Sequence, residues 1–186
     1  MREVVLDTET TGLDPAEGHR LVEIGCIELF NRIPTGREFH CYINPARDMP
    51  PEAEAVHGLS ASFLAKFPLF VDHIDGFLEF VGDAPLIIHN AGFDLKFLNA
   101  ELGTHSRPLF AVERAIDTLG LARRKFPGAP ASLDALCKRF NIDTSRRDKH
   151  GALIDATLLA AVYVELIGGK EPGLDLMAGG GSTGAN

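Results

Sequence analysis

Four carboxylates and one imidazole are the residues of this chain whose types and spacing can do chemistry. Asp7 and Glu9 stand two apart at the end of the apolar run Val4-Val5-Leu6. If a strand continues through them, both side chains point to one face. Two like charges crowded there raise each other's pKa unless a cation sits between them. If the strand stops at Asp7, both are solvated turn acids. Asp94 follows the short apolar run Leu86-Ile87-Ile88 and falls in the first turn of the next helix. That strand-to-helix edge is where open α/β sheets form ligand crevices, although an acid also suits any helix N-terminus through the macrodipole. Asp155 lies one turn into a helix whose Leu159, Val162 and Leu166 form an apolar stripe. An acid there is expensive unless it is paired or metal-bound. His150 precedes it by five residues, just ahead of the helix.

Together these groups can supply two divalent cations held by carboxylate oxygens. Mg²⁺ or Mn²⁺ suits them, because no cysteine or second clustered histidine offers a softer ligand. Two such ions orient a water, lower its pKa and stabilise both the attacking and the leaving oxygen of a phosphodiester. A neutral His150 can then take the proton from that water. The spacing permits this chemistry without proving it. Acids two apart after a first strand also occur where an aspartate is the nucleophile of a phosphatase, but the second acid there is normally Asp and here it is Glu9.

The elements that must position these residues can be read from the hydrophobic pattern. Arg2 to Leu6 reads as a buried strand, Leu21 to Phe30 as a second and Glu38 to Ile43 as a third. The Pro- and Gly-bearing stretch Asn31–Gly36 makes the last two a hairpin. Phe70, Ile74, Phe77, Leu78 and Val81 have helical spacing, and a short buried strand, Leu86–Ile88, follows. A helix then carries Phe93 and Phe97, and further helices fit Thr118–Phe126, Ser132–Phe140 and Gly151–Ile167, with Ser132 as an N-cap. Strands followed by alternating strands and helices predict an α/β fold with a mixed sheet flanked by helices on both faces. Residues 1–168 read as one domain. Residues 169–186, in a glycine-rich C-terminal stretch, read as a flexible tail or the start of a linker.

Composition narrows the class further. The 186 residues are 45% hydrophobic and carry 26 acidic against 18 basic side chains, a formal net charge of −8. That apolar fraction belongs to a globular protein. No run approaches the ~20 apolar residues of a membrane span, and no signal peptide is recognisable. Three scattered cysteines, Cys26, Cys41 and Cys137, fit neither a zinc motif nor a disulfide framework, so a reducing, cytoplasmic setting is expected. The acidity does not exclude a nucleic-acid partner. Arg123–Lys149 holds eight basic residues against three acidic ones, and within it Arg146, Arg147 and Lys149 are candidates to steer phosphates toward His150. Nothing in the pattern points to a self-complementary surface, so the domain is expected to be monomeric.

Three motifs in order, Asp7-Thr8-Glu9-Thr10-Thr11-Gly12, His89-Asn90-Ala91-Gly92-Phe93-Asp94 and His150 five residues ahead of Asp155, resemble those of the DEDDh 3′–5′ exonucleases. Pro51-Glu52-Ala53 and Val56-His57-Gly58-Leu59 are similar to the proofreading branch of that family. Where the sister group has Tyr three residues before the last Asp, this chain has Ala152, so the His form is the match. The resemblance implies an RNase H-like fold and release of 5′-mononucleotides from a 3′ end. It also implies Asp7, Glu9, Asp94 and Asp155 as ligands of two Mg²⁺ or Mn²⁺ ions, with His150 as general base. Glu52 and His57 would contact the terminal nucleotide, and the backbone around Thr8 and Thr10 would lie against it. Phe93 and Val56 would wedge or stack on bases, although Phe93 also suits packing on Phe97. His89 would position its loop rather than touch metal. The implied partners are a DNA 3′ end and a replicative polymerase subunit. A stand-alone exonuclease acting on RNA or single-stranded DNA is the alternative, and a non-catalytic module would require a missing acid or histidine.

Overall fold

In the computed structural model, residues 1–168 are described; the expected glycine-rich tail, 169–186, lies outside them. Five strands form one mixed sheet: β1 (Arg2–Thr10), β2 (Leu21–Phe30), β3 (Ile33–Tyr42), β4 (Leu86–Ile88) and β5 (Ala115–Asp117), in the order β3-β2-β1-β4-β5. The first three run antiparallel, while β4 and β5 join parallel to β1 and to each other. The helices are α1 (Pro51–His57), α2 (Ala61–Leu64), α3 (Phe70–Val81), α4 (Ala91–Thr104), α5 (Thr118–Lys125), α6 (Leu133–Arg139) and α7 (Ala152–Leu166).

Strand alternation divides the core. Val4, Leu6, Ile24, Cys26 and Ile88 point to the face covered by α3 and α4, where Phe77, Phe97 and Leu98 are fully buried. Val5, Ile27, Leu29 and Ile87 point to the other face, against Ala156, Leu159 and Tyr163 of α7. A third cluster joins Leu158, Val162 and Leu166 of α7 to Ala122 of α5 and Leu136 of α6. Helix α7 is therefore buried between the sheet and an outer helical layer. The α/β sheet flanked on both faces is the architecture expected.

Three local features depart from the hydrophobic pattern. β1 does not stop at Leu6: it stays paired with β2 through Asp7–Gly25, Glu9–Glu23 and Thr10–Leu21, with a bulge between Glu9 and Thr10. The acids at 7 and 9 thus lie within a ladder, not in a turn. The β2–β3 turn is only Asn31-Arg32, both at positive φ, which matches the strand twist as a two-residue hairpin does. The rest of the expected turn is strand. Pro34 is tolerated because β3 is an edge, and Gly36, at φ +85°, sits in the irregular stretch between paired residues. Helices α1 and α2 and strand β5 are additional, since none carries a long apolar period. Helix α1 is instead delimited by Pro51 in its first turn and a left-handed Gly58 after its end. Among the described residues no helix is long and apolar enough to cross a membrane.

The loop before α4 is held from β5. Asn90 adopts φ 64°, and its N–H donates to Asp117 Oδ1 at 2.9 Å, while the same oxygen accepts the Leu119 N–H at 3.0 Å. His89 Nδ1 lies 2.9 Å from Thr118 Oγ1, so this imidazole braces the loop as expected. Asp117→Ala removes both bonds and is expected to cost about 1–2 kcal/mol of stability, the usual range for a lost cap. Urea denaturation of the full chain checks this, and an unchanged midpoint would contradict the bracing.

Candidate active site

The sequence positions four acids on three elements, and the fold brings those elements together at the C-terminal end of β1. Asp7 and Glu9 are odd-numbered on β1 and share the face of Val5, toward α7. Thr8, on the opposite face, donates from Oγ1 to Asp94 Oδ1 at 2.6 Å, which ties the first turn of α4 to the same strand end. Asp155 enters from the first turn of α7. Asp94 and Asp155 are each 3% exposed and Glu9 is 9%. One donor atom from each of Glu9, His150 and Asp155 lies within 4.8 Å of the others.

Burial and mutual repulsion act in one direction here. Glu9 is pushed up to about 8, first by burial and then by the charges of Asp155, Glu23 and Asp94, with Arg147 opposing. Asp7 is raised well above the ordinary carboxylate range by burial, then by Asp94, Glu9, Asp155 and Glu23. Asp94 is raised to about 7 by burial, although the Thr8 hydroxyl holds it down. A set of hard oxygen donors whose charges are this poorly compensated fits divalent cations.

Arg147 does not occupy the place expected of it. Instead of facing solvent to steer phosphates, its guanidinium grips Asp155, with Nε 2.6 Å from Oδ1 and Nη2 2.7 Å from Oδ2. It also pairs with Asp134. Its side chain is 7% exposed. The physical reason is local: a counter-charge for the buried carboxylate lies eight residues earlier, on the loop that leads into α7. Arg146 and Lys149 remain exposed. His150 is exposed, with Nδ1 2.7 Å from Arg147 Nη2 and 3.0 Å from Asp155 Oδ2, and its backbone N–H donates to Val56 O at 3.2 Å. That bond fastens the histidine loop to the end of α1.

Beside the acids lies a cavity of about 460 Å³ lined by Thr8, Glu9, Thr10, Glu52, Val56, His57 and Phe93, among others. Of the residues expected against a terminal nucleotide, Thr8, Glu9, Thr10, Glu52, Val56, His57 and Phe93 border this space, and Asp7, also expected there, is not part of its lining. Glu52 and Val56 are exposed on α1. Phe93 is half-buried and packs on Phe97 with ring centroids 5.1 Å apart, so it serves the core and the cavity wall at once. His57 is buried, and both its ring nitrogens have backbone partners: Nε2 lies 3.1 Å from Thr10 O, and Nδ1 accepts the Leu59 N–H at 3.0 Å. Burial lowers its pKa, which suits the neutral tautomer these bonds require. It also lines the cavity.

Two further residues stand at the site without having been singled out by their spacing. Leu13, 81% exposed, lines the cavity mouth, and its signal in the sequence was an apolar residue immediately after a motif glycine. Glu23 faces Glu9 across the ladder. Only the strand pairing reveals it.

The fold and the gathered acids define a class, and comparison with known proteins gives it a name. The family model described as Exonuclease matches residues 4–163, and the chain belongs to that family. Among curated relatives, DNA polymerase III subunit epsilon of Rickettsia felis is 59% identical over 174 residues, 92% of this chain and 76% of the relative. The Escherichia coli K12 protein of the same name is 44% identical over 176 residues, 91% of this chain and 72% of its own. Among solved structures, exonuclease X in complex with 5′-overhanging duplex DNA superposes with a TM-score of 0.70 at 27% identity, covering 88% of this chain and 90% of that one. The nuclease domain of 3′hExo, a DEDDh family member bound to rAMP, gives a TM-score of 0.73 at 16% identity over 89% and 91%, a likeness of fold.

The raised carboxylates make stability depend on pH. Glu9 and Asp94 bind protons more tightly when folded than their ordinary values of 4.5 and 3.8 allow. Between about pH 5 and pH 8 the native state therefore holds more protons than the unfolded one, and stability falls as pH rises. In EDTA, Tm should decline across that window; saturating Mg²⁺ should raise Tm most at its upper end. Differential scanning fluorimetry reads both, and a flat profile in EDTA would refute the repulsion.

Proposed function

We propose that this chain is a metal-dependent 3′–5′ exonuclease that removes mismatched nucleotides from DNA primer ends, acting in the cytoplasm as the proofreading subunit of a replicative polymerase. The single observation that carries this reading is the gathering of Glu9, His150 and Asp155 within 4.8 Å of one another, with Asp7 and Asp94 near enough to repel them, beside a cavity of about 460 Å³ that Glu9 lines. The names of the curated relatives support the polymerase partner.

Asp7, Glu9, Asp94 and Asp155 would hold two Mg²⁺ or Mn²⁺ ions. Such ions lower the pKa of a water and neutralise charge on the phosphodiester oxygens. The chain's own residues supply the rest. Nδ1 of His150 lies between Arg147 Nη2, at 2.7 Å, and Asp155 Oδ2, at 3.0 Å; once Nδ1–H is donated to Asp155 instead of Nδ1 accepting from Arg147, Nε2 is free to take the proton from the attacking water. Glu52, on the exposed first turn of α1, meets the terminal 3′-hydroxyl. The backbone from Thr8 to Thr10 flanks the last nucleotide, with the His57 ring behind it. Phe93 and Val56 are placed to stack against its base, a contact that tolerates any sequence. A frayed, mismatched end enters such a cavity at less cost than a paired one, because its base pair is already open.

The test is a 5′-labelled primer–template with a 3′ mismatch, compared with matched DNA and single-stranded RNA. Mg²⁺-dependent shortening should be fastest on mismatched DNA and should vanish with EDTA or Asp7→Ala, while His150→Ala should lower kcat by about 10²-fold or more. Preference for RNA would move the same residues to RNA trimming, and shortening by Asp7→Ala would overturn the site. Arg146 and Lys149 should act on the strand's phosphates. Their joint replacement by Ala should raise KM and make the log–log salt slope shallower by about 1.4, at ~0.7 per single-strand phosphate.

A further inference from the structure

Glu23 is a buried acid with no place in the nuclease reading. It stands on β2 opposite Glu9 and is 3% exposed. An extra carboxylate facing a cluster that already repels itself is costly unless its oxygens are well used. Both are used. Oε1 lies 2.7 Å from Nε2 of His40 on β3, and Oε2 accepts the Ala152 N–H at 3.1 Å.

Ala152 is the first residue of α7, and its N–H is one of the donors a helix start leaves without an intrahelical partner. The N-cap residue is Gly151, which has no side chain to offer. The cap therefore comes from another element, as a carboxylate whose charge the helix dipole favours. Gly25 lies two residues on along β2, on the same face. A Cβ at Gly25 would overlap the backbone of Ala152 and Leu153, so this glycine lets strand and helix start meet. The turn seated this way carries Asp155 and is preceded by His150.

The structure assigns Glu23 as a positioning residue that seats the first turn of α7 on β2, so that Asp155 and His150 meet Glu9 at the metal-binding cluster. Neither substrate nor metal needs to touch it. His40 is its lateral support, keeping one oxygen turned away so that the other faces the helix. The assignment rests on the nuclease reading above and deepens it.

The experiment uses the full chain and two readouts: kcat and KM on a mismatched DNA end, and the Mn²⁺ binding midpoint by calorimetry without DNA. Glu23→Ala should lower kcat and weaken Mn²⁺ binding by about 10–100-fold, the range for residues that orient metal ligands, with KM little changed. Glu23→Gln keeps an oxygen for the Ala152 N–H and should restore both to within about threefold of wild type, since the bond rather than the charge does the seating. His40→Ala, at a partly exposed position that tolerates truncation, should weaken Mn²⁺ binding in the same direction, by about threefold. A wild-type midpoint in Glu23→Ala overturns the assignment. So does a loss confined to KM, or a Gln variant as impaired as Ala. If Glu23→Ala does not fold, His40→Ala decides: an unchanged midpoint there also overturns it. If the wild-type chain shortens no substrate, the nuclease reading fails, and the calorimetric midpoints still test Glu23 by themselves.

Discussion

Mutual repulsion among carboxylates at the end of β1 is the constraint on which the rest of this structure depends. Left to themselves, Asp7, Glu9, Asp94 and Asp155 would move apart or protonate, and Glu9 and Asp94 are held at values far above an ordinary carboxylate's. Hydrophobic burial elsewhere must therefore be strong enough to hold them together. The long β1–β2 ladder, the fully buried Val5 and Ile87 beneath α7, and Phe77 and Phe97 on the other face provide it. Proteins tolerate such local instability where function needs it and offset it through the surrounding core. A divalent cation bound among them would relieve the repulsion directly, so binding it and stabilising this corner would be thermodynamically linked.

The same constraint explains why so much of the local detail concerns fixing backbones rather than adding contacts. The four acids arrive on three elements, and each element is pinned near its acids. The bulge after Glu9 ends the regular pairing of β1. Asp117 holds Asn90 in the left-handed conformation from which α4 starts. Glu23 holds the start of α7. His57 closes Thr10 against the turn that follows α1. These bonds join segments far apart in sequence, so the arrangement exists only when the sheet has formed.

That separation decides what could be read from the chain alone. Leu21–Phe30, Leu86–Ile88 and the helix from Phe70 were legible because apolar periodicity marks them. Asp94, Asp155 and His150 drew notice because each sits near a helix start that the pattern locates, whereas Asp7 and Glu9 lie within β1, past the end of its apolar run, and were marked by their spacing and their motif. Helix α1 was not, since Pro51-Glu52-Ala53-Glu54 has no apolar stripe, only a proline start and a glycine stop. Strand β5 is three residues long, too short for a period. Glu23 was invisible for a different reason: in the sequence it is one polar residue in an apolar run, and its meaning comes from facing Glu9 and Ala152 across space.

Arg147 carries the argument about charge furthest. Arg146, Arg147 and Lys149 look alike as a basic run, and a phosphate-steering surface follows naturally from counting them. In the fold the run divides. Arg146 and Lys149 stay in solvent, where a positive side chain can act on a polyanion at long range. Arg147 turns inward and neutralises part of the cluster through a two-bonded grip on Asp155, a geometry that suits guanidinium and not ammonium. Adjacent cations thus face opposite ways, Arg146 and Lys149 toward solvent and Arg147 toward the carboxylates within. The net charge of −8 is no obstacle to handling a polyanion on this account. Four of the 26 acidic side chains are gathered at the end of β1, while Arg146 and Lys149 beside His150 are exposed.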